Sequence, residues 1–389
     1  MVKIDEIQDT LRDRAIDGWL FCDHPLRDAI AYRILGLPQG LTVSRRWFYL
    51  VPAHGDPIKL LHRLEPSHLD ILPGTKRLYA AREEFVNSLE LMLSTVDKIA
   101  MQFSPNNMIF TLSVVDAGTI DLIRSFGKKV VSSADLVAQF EASWSTEQIS
   151  SHFDARDSID AIMAAAFKEI GKRARNGGTT EFEIQQWVIE AFQKENLVTN
   201  SPPMVAVNEN SSKPHYTVSR EHAAPIQPGD FLLLDFWGKK NKPNAVYYDI
   251  SWTGFVGDSL PDAIGEIFEI VRRSRDAAIE QVHTAIAVGK KLCGWEVDKA
   301  ARDVLHAAGY GNYLNNRVGH SIGTEVHGNG ANMDNFESYE DRELIPNTCF
   351  SIEPGIYLRE FGLRSEINML IRNGSTEVTG RIQNAVVLV

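Results

Sequence analysis

Four acidic residues of this 389-residue chain lie within apolar, strand-like stretches, where an unpaired carboxylate is costly to bury. They form two pairs, Asp235 with Asp249 and Glu353 with Glu366, and the members of each pair are 14 and 13 residues apart. Both separations suit hairpins that return the second acid beside the first. Two such hairpins facing each other would bring four carboxylates to one point, so the pattern predicts a cluster of buried acids.

A histidine-containing segment lies between the two acidic pairs. Gly319-His-Ser-Ile-Gly-Thr-Glu-Val-His327 places His320 and His327 seven residues apart around a glycine. Four buried carboxylates and an imidazole suit a pair of divalent cations, whose charge the carboxylates balance. The chain is therefore predicted to be a two-metal hydrolase. Manganese is the expected ion because oxygen-rich ligation favours hard cations, although cobalt, iron or zinc would fit the same residues.

Length and charge restrict the class of protein further. A chain of 389 residues favours two domains over a single core. The formal net charge of −11 argues against a nucleic-acid or anionic-membrane surface, but it would not hinder a small zwitterionic substrate. No apolar run approaches the length of a bilayer span, and the first residues resemble an amphipathic helix rather than a signal peptide. Three scattered cysteines indicate a reduced, cytoplasmic protein.

The order of helical and strand-like patterns predicts two domains. Residues 1–142 alternate the two patterns, which indicates an α/β layer domain. Residues 143–389 begin with a capping box at Ser145, and a second capping box begins at Thr180. Each half of this second domain is predicted to run helix, helix and then a hairpin with two acids. The four helices are expected at about 145–176, 180–195, 262–287 and 296–308.

From about residue 145 onward the chain resembles the pita-bread metallopeptidase family of methionine aminopeptidase, prolidase and aminopeptidase P. The matching sequence motifs are Pro228-Gly-Asp, Asp249-Ile-Ser-Trp-Thr253, Gly319-His-Ser-Ile-Gly323 and Glu353-Pro-Gly-Ile356. The first 142 residues are similar to the creatinase/prolidase N-terminal domain, which favours the proline-specific branch. The resemblance implies an α/β N-terminal domain followed by an α+β pita-bread catalytic domain, and a homodimer.

The resemblance also implies roles for individual residues. The family's ordered metal ligands fall on Asp235, Asp249, His320, Glu353 and Glu366. In that family Asp235 would bind one ion, His320 and Glu353 the other, and Asp249 and Glu366 would bridge the two.

Four further roles follow from the same resemblance. Glu353 would also move a proton during hydrolysis, and His215 and His327 would hold the substrate carbonyl and stabilise the tetrahedral intermediate. Arg364 would hold Glu366 in position without binding a metal ion itself.

The substrate implied by the resemblance is a peptide with proline after the scissile bond. An Xaa-Pro aminopeptidase is expected, because no basic cluster near the motifs offers a clamp for a dipeptide's carboxylate; an Xaa-Pro dipeptidase is the alternative. A longer Asp–Asp hairpin, Trp252 in place of the usual arginine and Gly328 in place of a frequent acid depart from the family pattern.

Three other functions share this fold. A metal-dependent dimethylsulfoniopropionate lyase remains open as a non-peptidase enzyme. A creatinase-like C–N hydrolase and a peptide-binding histone-chaperone relative are less compatible, since both lack the metal ligands that this chain retains.

Overall fold

The computed structural model describes residues 3–38 and 43–389. The chain divides into two compact units, Met1–Glu141 and Ala142–Val389. Among the helices of the described residues, none is both long enough and apolar enough to cross a membrane.

In its described residues, the first unit contains a six-stranded sheet and five α-helices. Its helices are α1 Ile4–Asp13, α2 Ala29–Leu35, α3 Arg82–Met92, α4 Ala117–Ser125 and the single turn α5 Ala134–Val137. Its strands are β1 Gly18–Asp23, β2 Trp47–Pro52, β3 Ile58–His62, β4 Thr75–Tyr79, β5 Lys98–Met101 and β6 Lys129–Ser132. The strand order is β4-β3-β2-β1-β5-β6. The β1–β2 and β2–β3 pairs are antiparallel, and the remaining pairs are parallel.

Both faces of this sheet are covered. Trp19 and Phe21 of β1 pack on one side with α1 and α2, whereas Leu20 and Cys22 pack on the other side with α3 and α4. Alternation of side chains along a strand therefore explains why every residue of β1 is buried. The predicted α/β layer architecture of this region is confirmed.

The second unit contains four long or medium helices and thirteen short or medium strands in its described residues. The helices are α6 Thr146–Arg175, α7 Glu181–Lys194, α8 Asp262–Ala287 and α9 Gly294–Ala307. The strands of its first half are β7 Thr179–Thr180, β8 Leu197–Val198, β9 Met204–Val207, β10 Pro225–Ile226, β11 Phe231–Lys240 and β12 Tyr248–Phe255. Those of its second half are β13 Ser321–Ile322, β14 Cys349–Ile352, β15 Gly355–Tyr357, β16 Gly362–Arg364, β17 Ile367–Arg372, β18 Ser375–Val378 and β19 Val387–Leu388.

The two predicted capping boxes begin α6 and α7. Ser145 Oγ accepts a hydrogen bond from the backbone N–H of Gln148, whose side chain accepts in return from the N–H of Ser145. Thr180 and Glu183 make the same reciprocal pair at 3.2 and 3.0 Å. These local contacts satisfy N–H groups that a helix leaves without partners at its start.

Each half of the second unit packs a helix pair against a sheet whose central strands are antiparallel. Helices α6 and α7 cover one face of β11 and β12, through side chains such as Leu234 and Phe236. Helices α8 and α9 cover the β13-β14-β17-β18 sheet, through Phe350 and Met369 among others. The predicted order of helix, helix and hairpin in both halves is confirmed.

One strand is longer than the sequence indicates. Asp235 ends the apolar run that begins at Phe231, but it lies in the middle of β11, which continues to Lys240. The strand extends because β12 continues to pair with it as far as the Gly238–Tyr248 position. Asp235 alternates with Leu234 and Phe236, so its side chain points away from α6 and α7.

Candidate metal centre

The β11–β12 register brings the first two acids together. Asp235 lies opposite Ser251, and Trp237 lies opposite Asp249. The two acids are thus diagonal neighbours on one face of the antiparallel pair, which is close enough for their side chains to share a ligand. Asp249 is fixed further by Asn368 of β17, whose amide exchanges hydrogen bonds of 2.9 and 2.6 Å with the backbone of Asp249.

The second pair of acids lies at the facing ends of two strands. Glu353 follows β14 and Glu366 precedes β17, and the adjacent residues Ile352 and Ile367 are paired. The inner hairpin β15–β16 connects them. Glu366 Oε2 accepts a 2.8 Å hydrogen bond from Ser251 Oγ, which ties the second pair to the strand that carries the first. All four acids therefore meet beside β12.

His320, the residue before β13, enters this cluster. Its Nε2 lies 3.5 Å from Asp249 Oδ2 and 3.4 Å from Glu353 Oε1. Its Nδ1 lies 3.1 Å from the carbonyl oxygen of Ser321, which can only accept, so Nδ1 carries the proton and Nε2 presents its lone pair. The preceding Gly319 is required by packing, because a Cβ there would collide with the backbone oxygen of Ser351.

Three carboxylate oxygens of the cluster have no protein partner. Asp235 Oδ1, Asp249 Oδ1 and Glu366 Oε1 are buried and accept no hydrogen bond within the described part of the chain. One ligand atom from each of Asp249, His320 and Glu366 lies within 4.8 Å of the other two. Buried polar atoms are rarely left unpaired. Unpartnered carboxylate oxygens beside an imidazole nitrogen are the donor set that divalent cations bind, so these residues fit a metal centre.

The pKa values of the cluster show the cost of burying these acids without cations. Burial raises the pKa of Asp235 to about 7, although the charge of Arg364 opposes the shift. The pKa of Glu366 is also raised, first by burial and then by the charge of Asp249. Burial lowers the pKa of His320, but its interactions with Asp249 and Glu353 outweigh that effect and the pKa is raised. The carboxylate forms of these acids thus need positive charge nearby.

Arg364 supplies part of that charge from the edge of the cluster. Its Nη2 donates to Asp235 Oδ2, and its Nε donates to Ser251 Oγ at 2.9 Å. Ser251 in turn donates to Glu366, so Arg364 contacts Asp235 directly and reaches Glu366 through the serine. The geometry leaves Asp235 Oδ1 free to bind a cation while Arg364 fixes the other oxygen.

The cluster forms the floor of a cavity of about 320 Å³. His215 and His327 both line this cavity, together with all five expected metal ligands and Arg364. The His327 ring lies 4.4 Å from the His320 ring in an edge-on arrangement. Burial, followed by the charges of His320, Arg317 and His215, lowers the pKa of His327 to about 3. His327 is therefore a neutral side chain that can form hydrogen bonds within the cavity.

Sequence reasoning missed three residues that contact the centre or its cavity. Ser251 and Asn368 each lie two residues after an acid on the same strand face, and this spacing of two was the available signal. Arg317 lines the cavity three residues before His320. Its proximity to the histidine motif was visible in the sequence, but no local pattern indicated that its side chain lines the cavity.

Comparison with known proteins identifies the family of the chain. The model of "Metallopeptidase family M24" matches residues 155–373. An Xaa-Pro dipeptidase of Lactobacillus delbrueckii subsp. lactis is 32% identical over 201 residues, which cover 51% of this chain and 50% of the relative. The chain spans about half the length of the curated relatives it matches.

Solved structures match over nearly the whole chain. Dipeptidase PepE from Mycobacterium ulcerans has a TM-score of 0.71 at 22% identity, covering 99% of this chain and 96% of that one. An X-Pro aminopeptidase from Thermotoga maritima has a TM-score of 0.62 at 20% identity, with full coverage of both chains. These similarities confirm the fold class, an α/β domain followed by a pita-bread domain. Because the family model covers more than half of its residues, the chain belongs to metallopeptidase family M24.

Proposed function

We propose that this protein is a dinuclear-metal peptidase that hydrolyses the peptide bond before proline. The observation that carries the proposal is a set of three buried, unpartnered carboxylate oxygens at the floor of a cavity, where Asp249, His320 and Glu366 bring ligand atoms within 4.8 Å of one another. The proposed ligands are Asp235, Asp249, His320, Glu353 and Glu366. Bound there, two divalent cations would lower the pKa of water and polarise the substrate carbonyl.

The residues around the centre hold the reacting groups in place. Asp249 and Glu366 would help to hold both cations, because each keeps an unpartnered oxygen and each supplies a ligand atom within 4.8 Å of one from His320. Glu353 moves the proton between the attacking water and the leaving nitrogen, since its carboxylate lies at the cavity surface and within 3.4 Å of His320. Ser351 Oγ donates to Glu353 Oε1 at 3.2 Å and orients that carboxylate.

His215 and His327 are proposed to contact the substrate carbonyl. Both line the cavity, and the histidine contacts with carboxylates of the centre in the described residues are made by His320 instead. A neutral His327 can donate a hydrogen bond to the carbonyl oxygen, where negative charge develops during attack. Arg364 positions Asp235 and, through Ser251, Glu366.

Proline specificity follows from the chemistry of the cavity and from the names of similar proteins. A proline amide has no N–H and carries an apolar ring, so its site must offer apolar contact rather than a hydrogen-bond acceptor. Tyr216, Trp237 and Val326 line the cavity and provide such surfaces. Several similar proteins are Xaa-Pro dipeptidases or aminopeptidases by name.

Four finer points belong to the same proposal. Mn²⁺ is the proposed ion, because four of the five ligands supply oxygen. A homodimer and a cytoplasmic location remain predictions from the sequence. A small peptide is the proposed substrate.

The proposal is tested by hydrolysis assays on protein stripped with chelator and reloaded with Mn²⁺, Co²⁺ or Zn²⁺. Substrates are Ala-Pro, Ala-Pro-Gly-Gly, the matched peptides with alanine in place of proline, and dimethylsulfoniopropionate. Cleavage of the proline peptides only after metal loading is expected. Equal rates on the alanine peptides contradict the proline assignment, and cleavage of dimethylsulfoniopropionate alone contradicts a peptidase.

The His327→Ala variant separates substrate contact from metal binding. Loss of an oxyanion donor should lower kcat by roughly 10²–10³-fold. Metal content by elemental analysis should match the unsubstituted protein. Loss of metal from this variant would mean that His327 is a ligand.

A further inference from the structure

Arg275 is a charged side chain of α8 that is completely buried in the second unit. Within the described residues it does not belong to the lining of the metal-centre cavity, so it can act there only through other residues. Burying a guanidinium is costly unless its N–H groups find acceptors. The acceptors of Arg275 therefore show what this buried charge holds in place.

The Arg275 guanidinium joins α8 to two other segments of the chain. Its Nη1 donates to Ser365 Oγ at 2.8 Å and to the carbonyl of Gln383 at 2.7 Å. Its Nε and Nη2 donate to Asp276 Oδ1 at 3.0 and 2.7 Å, and this partly exposed carboxylate balances the charge. Asp276 thus satisfies one edge of the guanidinium, and Nη1 bridges the two segments.

The first segment carries one of the proposed metal ligands. Ser365 is fully buried and connects β16 to β17, between Arg364 and Glu366. The side chains of Arg364 and Glu366 both contact Ser251 Oγ. Because successive side chains of an extended chain alternate in direction, Arg275 holds this link from the side opposite to the centre.

The second segment reaches the strand that carries Asp249. The side-chain amide of Gln383 accepts from the N–H of Thr253 at 3.0 Å and donates to the carbonyl of Thr253 at 2.7 Å. Thr253 and Asp249 both lie on β12. Through Gln383, Arg275 therefore also fixes the position of β12 relative to α8.

We propose that Arg275 is a positioning residue of the metal centre, which holds Asp249 and Glu366 at the spacing that bound cations require. This inference rests on the proposed metal centre and deepens it. Asp249 and Glu366 belong to different segments, and each offers a ligand atom within 4.8 Å of the other's. Loss of a group that orients metal ligands typically weakens metal binding by roughly 10- to 100-fold.

Stability alone does not require an arginine at this position. An apolar side chain of similar volume often replaces a paired buried charge without loss of stability. Asp276 is partly exposed and keeps Arg272 as a partner at 2.7 Å, so Arg275→Met leaves no uncompensated buried carboxylate there. The methyl thioether cannot donate to Ser365 or Gln383. The effects of this variant on folding and on ligand position can therefore be measured separately.

The test is calorimetric titration of Mn²⁺ into chelator-treated protein, with thermal unfolding in chelator as the measure of folding. Arg275→Met should bind Mn²⁺ roughly 10- to 100-fold more weakly than the unsubstituted protein. Arg275→Lys keeps the charge but not the planar set of donors, so it should recover part of the affinity. Ser365→Ala removes one acceptor with little change in volume and should also weaken binding, which keeps the inference testable if Arg275→Met does not fold.

Arg272→Met is the matched control for this titration. Arg272 lies one turn earlier on α8 and donates to Glu269 and Asp276 of the same helix. This variant should bind Mn²⁺ as the unsubstituted protein does. An equal loss of affinity in Arg272→Met overturns the positioning role. Lower thermal stability of Arg275→Met with unchanged Mn²⁺ affinity also overturns it, because Arg275 would then stabilise only the fold.

The Mn²⁺ titration also separates this inference from the proposed activity. If the unsubstituted protein binds Mn²⁺ but cleaves no Xaa-Pro peptide, the activity is overturned, and weaker binding by Arg275→Met still supports the positioning role. Cleavage of Xaa-Pro peptides with equal Mn²⁺ affinity in Arg275→Met and the unsubstituted protein overturns the positioning role alone.

Discussion

At the scale of single residues, the charged forms of the buried acids in the metal centre depend on a bound cation, because the protein groups around them do not satisfy all their oxygens. Glu366 has one oxygen bonded to Ser251 and another with no partner among the described residues. Burial and the charge of Asp249 raise its pKa. Its charged form is thus unfavourable until a cation binds, which couples metal affinity to folding stability.

Glu366→Gln should be at least as stable as the unsubstituted protein without metal, but less stable than it with metal bound. Glutamine removes a repelling charge at nearly constant shape, so the variant should unfold at the same temperature as the unsubstituted protein or higher in excess chelator. With Mn²⁺ present the unsubstituted protein should gain about 3 kcal/mol at one hundred times its Kd, and the variant much less. Thermal unfolding with and without metal measures both differences.

Glu377→Gln provides the control for that measurement. Glu377 lies on β18 and pairs with Arg372, away from the cluster. This variant should respond to Mn²⁺ as the unsubstituted protein does. A full metal response in Glu366→Gln would remove Glu366 from the ligand set.

His152 should make the stability depend on pH in a defined window. It is fully buried, and its two ring nitrogens lie 2.7 Å from the carbonyl of Tyr247 and 2.8 Å from Thr379 Oγ1. Burial, opposed in part by the carbonyl, lowers the pKa of His152 to about 4. An unfolded histidine titrates near 6.5. Between pH 6.5 and about 4 the unfolded chain therefore binds a proton that the folded chain does not, and stability falls as the pH falls.

Through His152, the free energy of unfolding should fall by about 1.4 kcal/mol for each pH unit below about 6.5, or roughly 3 kcal/mol across the window. No loss from this residue is expected above about pH 6.5. His152→Gln removes the titrating group, so the difference in unfolding free energy between the two proteins should change with this slope. Urea unfolding at several pH values measures it. The exposed His222→Gln serves as the control, and a slope of the same size in that control would assign the effect elsewhere.

At the scale of elements, the first residue of α7 organises the loop that carries His215. The Glu181 side chain is fully buried and accepts hydrogen bonds from the N–H groups of Val207 and Ala224, both at 2.8 Å. It also accepts from Tyr216 Oη at 2.7 Å and from Asn210 Nδ2. One carboxylate therefore holds both ends and the middle of the segment 207–224.

Glu181→Gln should lower kcat without removing metal. The amide puts N–H groups where two of the donors now point, so the loop shifts and the proposed contact of His215 with the substrate weakens. A loss of one to two buried charged hydrogen bonds is worth about 1.5–3 kcal/mol each, and a positional change can cost roughly 10²-fold in rate. Steady-state kinetics and metal analysis test this expectation together.

Glu183→Gln is the matched control on the same helical turn. Glu183 completes the capping box with Thr180 and has no contact with the loop among the described residues. This variant should cost about 1 kcal/mol of stability or less and leave kcat unchanged. Equal kinetic losses in both variants would mean that the start of α7, rather than Glu181 itself, matters.

The same elements show which parts of the structure were predictable. The starts of α6 and α7 are encoded by contacts three residues apart, and they were predicted to within one residue. The length of β11 depends on pairing with β12, so the apolar run that ends at Asp235 does not mark the end of the strand. Glu181, Ser251 and Asn368 look ordinary in the local sequence, because their roles arise from contacts with distant segments.

At the scale of the whole molecule, the candidate site belongs to one of two units that have separate cores. All lining residues of the cavity fall between Gln185 and Glu366, within the unit Ala142–Val389. The first unit builds its cores on both faces of its own sheet. A cation bound by the second unit stabilises only states in which that unit is folded.

Metal binding should therefore protect amide hydrogens of the two units unequally. Hydrogen exchange followed by mass spectrometry is expected to slow in β11, β12, β14 and β17 when Mn²⁺ is added to chelator-treated protein, because opening these strands releases the cation. Exchange in β1, β2 and β5 should change little, since their opening leaves the centre intact. Glu366→Gln should abolish the gain in the second unit. Equal slowing in both units would show that they open together as one cooperative structure, and no slowing anywhere would contradict a metal centre at these strands.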